Sequence, residues 1–358
     1  MKNKNLLIGL ACLLIVVVVL SMSTKSQKPE ETPKFDIIEI GTGGDPKWSP
    51  DGTQLAFIYK DTICLANADG TGEIKNLFEM PNTAYRYHWL DSTEFLFQER
   101  QDVRDDEGKL LHMTDRLTGI SLNGTKRTIV ESKQEYSSPF FFSAPIFMPD
   151  GTVGYFQFPP GQSWVSENAV FKVIKQGRMK PDSSLKQLRA VIVPFASYTI
   201  SGDVWIESLD KSIKKRITTG ELCSFPELSS DGNKILAMCG KKCGMCVIDL
   251  QGNMISVAQK GIDTADISES SISPPQAKWS PDGKKIVYMR LTAKILDWDG
   301  QAIEHIAGKI HIVNADGSGL QVIDIPDVIA VNPVWSPYGT KLACTGENTG
   351  KVYVIKLK

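Results

Sequence analysis

Thiols are the side chains in this chain with the most distinctive spacing. Three of its seven cysteines fall within one short stretch, Cys239-Gly-Lys-Lys-Cys243-Gly-Met-Cys246. Thiolates spaced in this way can ligate an iron–sulfur cluster, a chemistry of reducing compartments. They can also pair as disulfides, which oxidising compartments favour. Once Cys12 in the N-terminal apolar run is set aside, six cysteines remain, an even number. Cys239 and Cys243 flank a three-residue tip between two β-rich runs, so they are expected to bridge. Cys223, entering the same region, is expected to reach Cys246. Spacing does not fix connectivity, and thiols or a metal stay open as alternatives. Cys64 and Cys344 align with core-type positions, as a bridge or as two buried thiols.

Acid–base and metal chemistry find less support. The four histidines, His88, His112, His305 and His311, are scattered with no metal-type spacing. Gln101 to Lys109 is a charge cluster whose expected meaning is a solvated loop. Asp102, Asp105, Asp106 and Glu107 could supply oxygens to calcium, but not at any calcium-loop spacing. No Gly-x-Ser-x-Gly nucleophile elbow occurs. No catalytic residue, cofactor or metal is therefore expected. A more suggestive set precedes a series of large apolar anchors: Lys47, His88, Ile146, Glu227, Lys278 and Val334. Mixed Lys, His and Glu around a pore could grip a peptide carboxylate or a sugar acid, with Tyr85 and Arg86 joining them. The plainer reading is strand residues wetted by a water-filled channel.

Those anchors belong to a repeat. Trp48-Ser49-Pro50-Asp51-Gly52 returns as Trp279-Ser280-Pro281-Asp282-Gly283 and Trp335-Ser336-Pro337-Tyr338-Gly339. Weaker copies begin at Trp89, Phe147 and Leu228. Proline presets φ for a turn, Asp bonds its own backbone and Gly accepts positive φ, so each copy is a tight hairpin turn. A β-rich run follows each turn, and a third run then closes on a second turn such as Asp69-Gly70, Asn123-Gly124 or Asp316-Gly317. The shortest interval, from Trp48 to Trp89, is about the length of one four-stranded propeller blade, roughly 40 residues. Six anchors predict an all-β, six-bladed propeller. The last copy lacks a fourth strand, and Phe35 to Ile40 is a spare strand at the other end. Pairing the two would close the ring and remove an open edge.

The long insertions, Gln101–His112, Pro159–Gly202, Gly261–Gln276 and Leu291–Gly308, all fall on the face opposite the repeat turns. That loop-rich face and the channel mouth beneath it are the expected binding surface. The largest insertion, 159–202, reads as a hairpin extension or a partner-binding flap.

Ahead of the propeller, Lys2 and Lys4 precede an apolar run from Leu6 to Met22. This layout predicts a signal peptide or uncleaved signal anchor over residues 1–23, a polar linker over 24–33 and the propeller over 34–358. The propeller is thus expected to be extracytoplasmic, in the periplasm or at the cell surface, either membrane-anchored or secreted. A net charge of −1 gives no global basic field for nucleic acid.

The blades resemble the TolB-like, WD-like propeller repeats of the periplasmic translocation protein TolB and of prolyl-oligopeptidase relatives, over residues 35–358. TolB itself carries an α/β domain before its propeller, where this sequence has a linker. The peptidase relatives carry a hydrolase domain for which no residues remain. The resemblance implies a role in envelope assembly, where the family's propeller grips a peptidoglycan-associated lipoprotein. The expected function is a non-catalytic, monomeric envelope module binding a protein or glycan partner. The alternative is an extracytoplasmic polysaccharide lyase or hydrolase with its site at the channel mouth.

Overall fold

A computed structural model describes residues 35–357 apart from 83, 136–144, 148–151, 158–169, 176–187, 195–201, 209, 211, 241–243, 260–276 and 296–302. The N-terminal apolar run and linker lie outside the described residues.

Every described element is a strand. The first, β1 (Asp36–Thr42), stands apart from its sequence neighbours. A four-stranded meander follows, comprising β2 (Gly44–Trp48), β3 (Gln54–Tyr59), β4 (Thr62–Asn67) and β5 (Lys75–Glu79). The next is β6 (Ala84–Trp89), β7 (Glu94–Arg104), β8 (Leu110–Ser121) and β9 (Lys126–Glu135). A three-stranded sheet comes third, made of β10 (Ile146–Phe147), β11 (Val153–Gln157) and β12 (Val170–Lys175). Then β13 (Leu188–Pro194), β14 (Gly202–Ser208) and β15 (Lys214–Arg216) lead into β16 (Cys223–Leu228), β17 (Lys234–Cys239), β18 (Gly244–Asp249) and β19 (Met254–Gln259), all in one sheet. Two more meanders complete the ring. One is β20 (Lys278–Trp279), β21 (Lys285–Ile295), β22 (Ile303–Asn314) and β23 (Gln321–Ile323). The other is β24 (Ala330–Trp335), β25 (Lys341–Gly346) and β26 (Lys351–Lys356), with β1 as its outer strand.

The repeat turns form as their chemistry dictates. Ser49 Oγ donates to Asp51 Oδ1 at 2.6 Å and accepts from Gln54 N at 3.0 Å, while Asp51 Oδ1 accepts from Thr53 N at 3.1 Å. Gly52, at φ 67°, donates its N–H to Ser49 O at 2.8 Å. The same lattice recurs at Ser229/Asp231 and Ser280/Asp282. Middle strands such as Leu55-Ala56-Phe57 and Leu342-Ala343-Cys344 are buried on both faces, because each blade packs between two neighbours.

Closure occurs as the termini suggest. β1 pairs antiparallel with β26 in the register Ile37↔Ile355 and Ile38↔Val354. The chain is thus an all-β propeller, but six equal blades is a miscount. Five complete four-stranded meanders stand among the described residues. The Phe147 copy yields the three-stranded sheet of β10–β12, and β13–β15 join the sheet of the following blade through Gly202↔Cys223. The physical reason lies in the long interval between Phe147 and Leu228. It carries two extra strands, β12 and β13, which pair with β11 and β14.

Two insertions read as loops are strand extensions instead. β7 and β8 pair from Glu94↔Ser121 out to Arg104↔Leu110, and β21 and β22 pair from Lys285↔Asn314 out to Ile295↔Ile303. Asp105 accepts from the N–H groups of Glu107 and Lys109 at the tip of the first, so its carboxylate serves the turn. Among the described residues no cluster of three or more His, Cys, Asp or Glu is arranged for a metal.

Candidate functional site: the inner rim

The first strand of each blade sits at the ring's inner edge, and tryptophan fastens these strands together. Trp48 Nε1 donates to Val334 O at 3.2 Å, Trp89 Nε1 to Lys47 O at 3.1 Å, Trp279 Nε1 to Glu227 O at 3.0 Å and Trp335 Nε1 to Lys278 O at 3.2 Å. Each indole thus reaches the backbone of the residue just before the neighbouring blade's anchor. Those same residues are the predicted site positions, so the clasp fixes the backbone of Lys47, Glu227, Lys278 and Val334 around the rim. Phe147 and Leu228 have no indole to donate.

A second device aims these side chains. Proline precedes four of the positions, Ile146 among them, and three of these are described in full, in Asp45-Pro46-Lys47, Phe225-Pro226-Glu227 and Asn332-Pro333-Val334. Without an N–H, proline breaks the ladder. The register shifts at each place, between Gly44 and Lys47, Ser224 and Glu227, and Val331 and Val334. The residue before each proline takes positive φ, Asp45 at 51°, Phe225 at 51° and Asn332 at 54°. Such β-bulges re-aim the residues that follow. Sequence reading missed them, although the recurring proline two residues before the anchor was the available signal.

The predicted residues do not form one cluster. Lys47 and His88 border a depression of about 270 Å³ with Pro46, Trp48, Trp89, Val334, Trp335 and the turn residues Pro281, Ser336 and Pro337. Lys47 Nζ sits 2.7 Å from Asp45 Oδ1 and 5.9 Å from the Tyr87 ring centroid. The Tyr87 hydroxyl, buried between blades, donates to Asp45 O at 2.7 Å and Ala56 O at 3.1 Å. Burial pushes the His88 imidazole down to about 4, with the Lys47 ammonium adding to the effect. Arg86 is exposed and lies on the same face of β6 as His88 by the two-residue period. The side chain of Tyr85 lies outside the described residues. Lys278 and Glu227 are brought together elsewhere on the rim as an inter-blade ion pair at 2.5 Å.

This depression opens beside the Ser-Pro-x-Gly turns, the trim face rather than the loop-rich one. Much of the 159–202 insertion lies outside the described residues. One turn departs from the pattern at this place. Where other copies have Asp, the Trp335 copy has Tyr338, which is 72% exposed and reaches over Gly52 of the next turn. With indole N–H groups committed to the clasps, the rim offers aromatic surface, one ion-paired ammonium and an uncharged imidazole. That combination suits a ligand with a flat apolar face and an anionic group. It suits proton transfer poorly, since a general base works best with a pKa near the operating pH.

The described cysteines lie in the core. Cys64, Cys223, Cys239, Cys246 and Cys344 are thiols, all buried. The register sets Cys223 opposite Cys239, not Cys246, because β17 lies between β16 and β18. Cys243 lies outside the described residues.

No family model and no curated protein sequence matches the chain. Solved structures similar to it include TolB from Acinetobacter baumannii, 14% identical over 89% of this chain and 64% of that one, with a TM-score of 0.37. An oligogalacturonate lyase in complex with manganese is 14% identical over 88% and 78%, with a TM-score of 0.38. A gluconolactonase from Xanthomonas campestris is 11% identical over 91% of each chain, with a TM-score of 0.43. The propeller itself rests on the strand pairing of this chain.

Proposed function

We propose that the chain is an extracytoplasmic, non-catalytic binding module, carried by its N-terminal segment, that takes an anionic portion of a protein or glycan partner at the rim depression. Tyr338 is the observation that carries this reading. Each turn Asp among the described residues satisfies two or more local hydrogen bonds, and the Trp335 copy gives that up for an exposed aromatic next to the depression. Local rules of stability are set aside most often where a surface has another task. Lys47 supplies the cation beside it, and the partly exposed Trp335 ring supplies the stacking surface.

The test places a photo-crosslinking amino acid at Tyr338 of the full-length chain in its native envelope, with and without Lys47→Glu. Capture of a discrete partner that the charge reversal weakens at least tenfold is expected. Capture unaffected by Lys47→Glu would move the binding surface elsewhere. Cleavage of an acidic polysaccharide by the purified chain, abolished by His88→Ala, would replace the binding reading with an enzymatic one.

A further inference from the structure

Three thiols converge on one face of one blade, and the strand register gives them unequal relations. Cys223 of β16 lies directly across from Cys239 of β17. Gly240 N donates to Leu222 O at 2.7 Å, so 222/240 is the hydrogen-bonded pair and 223/239 the adjacent non-hydrogen-bonded one. In such pairs the Cα atoms approach to about 4.5 Å and the side chains lie closest. A disulfide accepts Cα separations of roughly 4.4–6.8 Å. On the other side of β17, Cys239 pairs with Gly244, and Cys246 is two residues further on the same face, the diagonal neighbour at about 7–8 Å between Cα atoms, which a bridge spans only with a shift of the backbone. The Cys239 thiol hydrogen-bonds with both other thiols. All three are buried to within 1% of full enclosure, among Val204, Ile206, Ile235 and Ile248. Cys223 and Cys246 are two strand spacings apart, roughly 9–10 Å, too far to bridge directly.

We propose that Cys239 is the shared partner of a two-position disulfide site, bridging to Cys223 in one form and to Cys246 in the other. The oxidant is an external disulfide. It accepts two electrons as the Cys223 and Cys239 thiols lose two protons; one S–S bond forms in the protein, the external S–S bond breaks, and two external thiols leave. Hydrogen bonding with the Cys223 and Cys246 thiols, followed by burial, raises the Cys239 thiol, so exchange proceeds through the transiently opened blade or before it closes. Attack by the Cys246 thiolate on Cys239 of the first bridge then forms the second, releases Cys223 as a thiol and consumes no further oxidant. Either bridge ties β17 to one neighbour. The Cys223 form pins β16, the strand that carries the Phe225 bulge and Glu227 at the rim.

The experiment refolds the full-length chain from urea in defined ratios of oxidised to reduced glutathione. It then alkylates remaining thiols, digests without reduction and maps the linked peptides. Cys223–Cys239 is expected in the wild type, and Cys223→Ser should shift the link to Cys239–Cys246. Cys239→Ser, or Cys239→Ala if the serine impairs folding, should abolish both links. It should also make the thermal midpoint independent of the glutathione ratio, whereas the wild-type midpoint rises by several degrees on oxidation. Three outcomes would each overturn the proposal. They are a Cys223–Cys246 link in any variant, no link among the three in folded chain at any ratio, or one equivalent of tightly bound zinc by elemental analysis.

Discussion

Two histidines show how differently one residue type can be placed in the same fold. His311 is 6% exposed and stacks on Tyr288, with ring centroids 5.1 Å apart, while His88 borders the rim depression. His311 pairs with Tyr288 as Cys64 does with Phe57 and Tyr353 with Cys344, the same place in each third strand. Burial lowers both imidazoles from 6.5 to about 4. In the unfolded chain they take up protons near the ordinary value, so between those limits the unfolded state binds more protons than the folded one. Their contribution to stability is therefore fully present above about pH 6.5 and declines as the pH falls toward 4. Urea titrations at pH 7 and pH 5 should show this loss, and His311→Phe combined with His88→Gln should remove most of it. An undiminished slope in the double variant would assign the pH dependence to other groups.

Among the elements, the repeat turns and the bulged inner strands divide the labour, the former setting register and the latter setting direction. Asp282 illustrates the turns. The Ser280 hydroxyl, followed by the Lys284 N–H, holds its carboxyl below the usual range of 3.8. Its support is present above that range and is lost as the pH falls through the depressed value. Asp282→Ala should cost about 1 kcal/mol near neutrality, the usual net worth of such bonds. The difference from wild type should shrink in strong acid, as read by denaturant unfolding. A penalty independent of pH would mean that the carboxylate's bonds are not its source. The turns were readable because Ser, Pro, Asp and Gly act within a few residues of one another. The bulges were harder, since Pro46, Pro226 and Pro333 also look like ordinary strand-edge prolines until the register shift beside them is seen. The register of the thiols was equally hard to read. Hairpin proximity suggested Cys239 with Cys243, whereas cross-strand register, invisible in the spacing, set Cys223 against Cys239.

For the whole molecule, closure by β1 was legible and the blade count was not. The spare strand and the truncated last copy announced each other from opposite ends; in the long interval from Phe147 to Leu228 the strand-like runs were visible, but not that they pair with β11 and β14. Removing residues 35–42 should leave β26 as an open edge with Ile355 and Val354 unpaired on one side. Such a chain should melt at lower temperature and self-associate in concentration-dependent fashion by sedimentation; an unchanged melt with a monomeric profile would show that the ring holds without that strand. The tryptophan clasps have a wider consequence. The Trp48, Trp279 and Trp335 repeats each carry both a fastener for the copy before and, in the carbonyl ahead of the anchor, a socket for the copy after. A gene that gains or loses such a unit by recombination leaves every remaining seam matched, with no surface to reinvent. The anchors without an indole, Phe147 and Leu228, bracket the stretch where this chain has drifted furthest from its own pattern.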